Sequence, residues 1–380
     1  MKFGILPKLF IAIAIGIVIG SVSPGWVIRS TNCFRDLFGQ FIKFFVPFII
    51  VGLVTPAIAD TGKGAGRILL FTMGIAYAST LLAGYFAYGV SCGVLPSIMS
   101  SGMLGDAAAA KTFPAFFSLK IPPLMDVTTA LATSFMLGLG VCAVRADTLV
   151  KAASELRDVV TLTIAKAFVP LLPAYVLTVM ADLTASGRLA AVGAGSVKIM
   201  ALALATTTAV LLIQYCVAGA ITRKNPLKAL WTMLPAYLTG WGCCSSAATI
   251  PYTLRQTKLN GVSAETADLV IPLCSNVHLA GSMANMVVYA AGILVLAGEP
   301  LSIGAFTEYI LMISVIAVAS PGVPGGVVLA SASVAEAALG FSPERYAIMI
   351  AIYMALDGMG TACNLTGDGA IALIVDRFRK

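Results

Sequence analysis

Apolar residues fall along the chain in long blocks, and a helix needs roughly 20 of them to cross a bilayer. Blocks at about 4–23, 37–59, 66–95, 125–145, 160–183, 190–222, 262–298 and 341–375 predict eight spanning helices. Several exceed the minimum, which predicts tilt or a break inside the span. Two further stretches, 226–259 and 301–339, have broken centres: Gly242-Cys-Cys-Ser-Ser-Ala-Ala-Thr-Ile-Pro251 and Ala319-Ser-Pro-Gly-Val-Pro-Gly-Gly326. Backbone of that kind cannot face lipid, where unpaired N–H and C=O groups are costly. The pattern predicts two re-entrant hairpins, buried in protein or lining water; two kinked helices are the plainer alternative. Hairpin then helix occurs twice, over 226–298 and 301–375, once opening from each side. Such inverted pairs of discontinuous segments point to a transporter's mid-membrane site.

Composition narrows the class. Of 380 residues 59% are hydrophobic and 11% charged, against about 25% charged in soluble domains. That excludes a set of soluble domains, and the apolar content excludes disorder. What remains is an all-α polytopic membrane protein embedded in a lipid bilayer. The net charge of +7 is scattered and makes no basic face for nucleic acid. Lys63, Arg67, Arg223, Lys224, Lys228, Arg377 and Arg379 fall on one side of the predicted layout. Arg29, Arg35, Lys111, Lys120, Arg188 and Arg345 fall on the other. The positive-inside rule then places both termini in the cytoplasm, in an inner (plasma) membrane. The apolar run after Lys8 reads as a first span, not a signal peptide. Cys92, Cys142, Cys216 and Cys274 lie inside apolar runs as small hydrophobes.

The last block carries the chemistry. Asp357, Thr361, Asn364 and Asp368 are spaced i, i+4, i+7 and i+11, which puts them on one stripe of a helix. A carboxylate inside a spanning segment costs at least about 2.5 kcal/mol on insertion scales. Two of them on one face predict a functional site, with acids satisfied by neighbouring helices as the alternative.

Three motifs in order, Ser245-Ser246-Ala-Ala-Thr249-Ile-Pro251, Gly322-Val323-Pro324-Gly325 and Asp357…Asn364-Leu-Thr-Gly-Asp368, resemble those of the dicarboxylate/amino acid:cation symporters, the glutamate-transporter family. Pro47, Gly62-Lys63 and Leu171-Leu-Pro-Ala174 add to the likeness. The resemblance implies a homotrimer whose subunits have eight spans and two re-entrant hairpins and work as elevators. A scaffold (1–60 and 96–185) would hold the trimer. A mobile core (61–95 and 186–380) would carry the substrate, with the hairpin around 321–326 as its gate. It further implies that Asp357 and Thr361 hold the substrate's α-ammonium. Asn364, Ser245 and Ser246 would hold its α-carboxylate, and Val323 and Gly325 would complete the site. For cations it implies Asp368 with carbonyls near Asn364 and Ser275, and a second group around His278 and Ser320.

Departures from the family pattern carry as much information. Acidic-substrate members have an arginine where this chain has Gly360, or just before the hairpin serines, here Cys244. A side-chain carboxylate would be left buried without a partner, at a cost of several kcal/mol. Aspartate and glutamate are therefore expected to be poor substrates and a neutral side chain to fit, with Ser282 and Asn285 as hydrogen-bonding groups. Gly360 either widens the pocket or packs against a neighbouring helix. The family's Asn-Met-Asp-Gly-Thr matches His278-Leu279-Ala280-Gly281-Ser282 here, and its helix-3 Thr-Ser pair aligns with Ala76-Tyr77. Alanine offers no oxygen ligand, so fewer coupled Na+ ions are expected than the family usually carries. His278, the only histidine, is a candidate H+ carrier; an imidazole replacing an amide hydrogen bond is the plainer reading.

The leading function is thus cation-coupled symport of a neutral α-amino acid. Transport of another small carboxylate and an anion-leaking, channel-like activity are the alternatives. An enzyme is disfavoured, because His278 has no triad partner in its own segment.

Overall fold

Away from water a backbone must satisfy its own hydrogen bonds, and a helix does so within one segment. The computed structural model describes residues 5–61, 67–99, 111–144, 147–187, 189–243, 246–319 and 325–379. Every regular element among them is a helix. Four helical stretches are long and apolar enough to cross a membrane: Ile68–Ile98, Val192–Thr222, Ala264–Ala297 and Glu344–Arg379. A fifth is a pair bent by 46°, Thr148–Phe168 with Pro170–Ala185. The first, second and fourth expected spans contain shorter apolar runs, Phe10–Val22, Pro47–Pro56 and Ala132–Val141.

Helix α1 (Ile5–Val22) lies along α6 (Val169–Ala185). Gly16 and Gly20, one turn apart, face Leu177 and Ala181 so closely that a Cβ on either glycine would collide with the opposite backbone. Small residues four apart let two helix backbones approach in this way. The long α2 (Gly25–Thr61) packs on α4 (Val127–Val144), α5 (Asp147–Thr163) and α6. Phe34, Phe38, Phe41 and Phe45 form a ladder on one face of α2, and Phe41 stacks on Phe168 with ring centroids 4.8 Å apart. Residues 164–168 between α5 and α6 form a π turn just ahead of Pro170, whose missing N–H removes a ladder bond. Helix therefore begins at Asp147, well before the apolar block at 160, because α5 is amphipathic and its charged face kept it out of a hydropathy reading. The segment 111–126 lies over α2: Arg29 Nε donates to the Pro114 carbonyl (3.0 Å), and Asn32 Nδ2 to the Phe113 carbonyl (2.7 Å).

The remaining elements surround one buried helix. These are α3 (Arg67–Ile98), α7 (Leu189–Thr222), α8 (Pro226–Thr232), α9 (Leu234–Cys243), α10 (Ser246–Leu259), α11 (Ala264–Val277), α12 (Ala280–Ala297), α13 (Ile303–Ala319), α14 (Gly326–Ala330), α15 (Ala332–Leu339) and α16 (Pro343–Arg379). Every residue of α12 from Ala280 to Leu296 is buried, as expected of a helix apolar on all sides. It packs on α3, α7 and α16. The block predicted as one long span over 262–298 is two helices, broken at His278 (φ −94°, ψ 103°) and Leu279 (φ −125°, ψ 34°). Each interrupted stretch holds three helices, in which α9 packs on α10, and α13 on α14 and α15.

Candidate functional site

Helix α16 runs unbroken for 37 residues, and the predicted stripe lies buried on it: Asp357, Thr361, Asn364 and Asp368 are 8%, 7%, 3% and 1% exposed. Of the three chain breaks, those at Gly325 and His278 meet that stripe. Gly325, just ahead of α14, donates its N–H to Asp357 Oδ2 at 2.9 Å. Its φ of +77° is a left-handed conformation that glycine adopts without strain, and a Cβ there would stand 2.7 Å from Met354 Sδ. Near the end of α9, Gly240 packs against Ala362 and Leu365, which brings the first interrupted stretch to the level of Thr361 and Asn364. The third break, at His278–Leu279, is held by Asn364 and Asp368.

Asn364 makes the most contacts of the stripe. Its Oδ1 accepts from the Gly281 N–H (2.8 Å) and the Ser282 N–H (3.1 Å), and its Nδ2 donates to Ser282 Oγ (2.9 Å). Two orphan donors at the start of α12 are thus capped from another helix, a task usually done by the residue before a helix. Leu279 N–H is met by Thr80 Oγ1 of α3 at 3.1 Å.

Asp368 meets His278. The imidazole is fully buried; its Nδ1 lies 2.9 Å from Asp368 Oδ1 and 3.3 Å from the Asn364 carbonyl. Its Nε2 lies 3.1 Å from both Ser79 Oγ and Gln214 Nε2, and Gln214 Nε2 donates to Ser79 Oγ at 2.9 Å. The α3 hydroxyls at this break are therefore Ser79 and Thr80. This corrects the alignment of Ala76-Tyr77: Ala76 is buried in the core, and Tyr77 shares a hydrogen bond of 2.6 Å with Ser314 of α13. Ser79, Thr80 and Gln214 were missed by the sequence reading. The available signal was polar residues inside spanning blocks, but only the fold shows which of them meet.

The space beside Gly360 is filled. A Cβ there would lie 3.1 Å from Asn285 Nδ2 and 3.3 Å from Ser282 Oγ. Gly360 is a position of close α12–α16 packing, not an open pocket. Asn285 Oδ1 and Tyr289 Oη, one turn apart on α12, are buried with no hydrogen-bond partner. The Tyr289 ring sits edge-on to that of Tyr353, 6.3 Å between centroids, and Tyr353 hydrogen-bonds Asp357 from one turn earlier on α16.

Other expected residues are placed differently or lie elsewhere. Ser275, expected to offer a backbone carbonyl to a cation, has its hydroxyl bonded to the Pro272 carbonyl of its own helix (2.8 Å). Ser246 begins α10 and is partly buried. Ser245, Cys244, Ser320 and Val323 lie outside the described residues. Among the described residues no group of three His, Cys, Asp or Glu could hold a metal. A cavity of about 480 Å³ between α3, α7 and α16 is lined mainly by apolar side chains, with Ser79 and Gln214 as its polar wall. Asp357 and Thr361 are not part of its lining, so the substrate position is read from side chains, not from this cavity.

Comparison with known proteins fits this geometry. The family model described as "Sodium:dicarboxylate symporter family" matches residues 5–378. The chain is 29% identical over 160 residues to Neutral amino acid transporter A of Homo sapiens, covering 42% of this chain and 30% of that protein. It is 28% identical over 163 residues to Neutral amino acid transporter B(0) of Mus musculus, covering 42% and 29%. To Excitatory amino acid transporter 2 of Homo sapiens it is 27% identical over 161 residues, covering 42% and 28%. The matched stretch thus spans under a third of the length of these curated relatives.

Proposed function

The chain belongs to the sodium:dicarboxylate symporter family, and from that premise we propose that it is a multi-pass plasma-membrane symporter coupling inward Na+ movement to uptake of a small neutral α-amino acid. The observation that carries this reading is the buried stripe of α16, met by Gly325 and by the break at His278. A zwitterion needs an acid and a set of donors. Asp357 offers the acid for the ammonium, and Thr361 a hydroxyl one turn on. Ser246, at the start of α10, would offer its hydroxyl and a helix N-terminus to the carboxylate. Asn364 sets the α12 end of the site. Asn285 Oδ1 and Tyr289 Oη, buried and unpartnered, are atoms that a bound amino acid would satisfy.

Neutral specificity follows from where cations are missing. No Lys or Arg occurs in 234–254, 264–297, 303–342 or 346–376, the segments that form the site. A substrate with a second carboxylate would bury it unpaired. Two of the three relatives compared are named neutral amino acid transporters, which supports the same reading. Sodium comes from the family's description; Ala280 argues for fewer sodium sites than usual, and protons are the second candidate ion. We read the assembly as a homotrimer of subunits with eight spans and two re-entrant hairpins. In this reading the core (61–95 and 186–380) moves against a scaffold (1–60 and 96–185).

The test is uptake into proteoliposomes, with a panel of amino acids and imposed Na+ or H+ gradients. Saturable, gradient-driven uptake of alanine, serine, methionine or leucine is expected, with little competition by aspartate or glutamate. A strong preference for aspartate or glutamate would sink the specificity argument, and conductance without saturable uptake would overturn the carrier reading.

A further inference from the structure

The His278 cluster does more than close a helix break. Its ring is wedged between α16, α3 and α7, and the backbone is shaped to receive it. A Cβ on Gly367 would stand 2.6 Å from His278 Cε1 and 2.5 Å from Gln214 Oε1, so the ring edge rests where no side chain can grow. The ring's Nε2 lies 3.1 Å from both Gln214 Nε2 and Ser79 Oγ. Its Nδ1 faces a carboxylate and a carbonyl oxygen, both acceptors, so a ring hydrogen sits on Nδ1. There it points at Asp368 Oδ1 and at the Asn364 carbonyl.

Those two oxygens are the ones that a cation beside Asp368 would need. Hard cations gather about six oxygen ligands. Here an N–H hydrogen is directed at both oxygens. Ser79 Oγ is occupied by Gln214 and His278, and Ser275 Oγ is turned into its own helix. The unpartnered side-chain oxygens at the cluster are Asp368 Oδ2 and Gln214 Oε1, and neither replaces the two that face Nδ1.

We propose that His278 takes the place of a transported cation at Asp368: its Nδ1–H is a resident donor that keeps sodium out of this position. The inference rests on the reading of the chain as a sodium-coupled carrier, and it assigns His278 as a residue that sets ion specificity. Coupling sodium then enters elsewhere, and this part of the core crosses the membrane without an ion at Asp368.

The test compares the wild-type protein with His278→Asn, Asp368→Asn and the double variant, purified and reconstituted, at one fixed pH. His278→Asn replaces the ring by a short amide and opens the space. It is expected to lower half-saturating sodium for uptake by about fivefold or more, within the range of coupling between sites, or to raise the sodium Hill coefficient by about one. The double variant should lose that gain. Unchanged sodium dependence in His278→Asn would overturn the proposal. A second measurement needs no transport: the rise in Tm that NaCl gives over choline chloride. Wild type and Asp368→Asn should show the same rise; a rise that Asp368→Asn abolishes would mean that sodium already binds beside His278. If the wild type takes up no amino acid, the functional reading fails, while the sodium-dependent Tm still decides this inference.

Discussion

At the scale of single residues, the site depends on groups whose partners lie on other helices. Asn364 caps α12 with one oxygen shared by two N–H groups. Replacing it by alanine removes a cap, worth about 0.5–2 kcal/mol, and leaves two donors buried, at about 1–3 kcal/mol each when unsatisfied. Ser282→Ala loses the bonds with Asn364 Nδ2 and Tyr353 but leaves both α12 N–H groups capped. Asn364→Ala is therefore expected to lower the Tm of the purified protein clearly more than Ser282→Ala; equal effects would mean that the cap is not what Asn364 supplies. Gly325→Ala adds about 1–2 kcal/mol of left-handed strain and pushes a methyl into Met354. Lower thermal stability and a weaker apparent substrate affinity should follow together, because the same N–H holds Asp357.

At the scale of elements, apolar runs revealed most helices, because a bilayer-length block of Ala, Leu, Ile and Val has few other stable forms. The stripe on α16 was legible because spacing of i, i+4, i+7 and i+11 leaves it one face. Contacts between elements were not. Ser79 and Thr80 sit one turn from the Ala76-Tyr77 pair first aligned, and sequence alone could not set the register of α3 against the 278–279 break. The two readings of Gly360, pocket or packing, looked equivalent until Asn285 and Ser282 were found beside it. Gly16 and Gly20 form a legible motif that the functional reading passed over. Replacing Gly20 by isoleucine should force α1 off α6, with an overpacking cost of about 1–3 kcal/mol, seen as unfolding at lower detergent denaturant than wild type. Unchanged resistance would place the stabilising contact of α1 elsewhere.

At the scale of the whole molecule, the proposed motion makes a geometric demand. Leu172 of α6 belongs to the proposed scaffold, and Met354 of α16 to the core. Both approach the position where a Cβ on Gly325 would stand, Leu172 Cδ1 at 3.9 Å. With native cysteines removed, a Leu172→Cys/Met354→Cys pair bridged by mercury should halt uptake, while each single variant remains active. Uptake persisting after full cross-linking would exclude a core that slides against this scaffold.

The tight approach of α12 to α16 at Gly360 also limits the order in which substitutions can accumulate. A lone Gly360→Arg would drive its stem into Asn285 and Ser282 before its guanidinium could reach any carboxylate. A route from this chain to an acidic diet therefore asks Asn285 and Ser282 to give way. The glycine thus weighs on the shortest mutational path, because a change at one helix calls for an answering change on its neighbour.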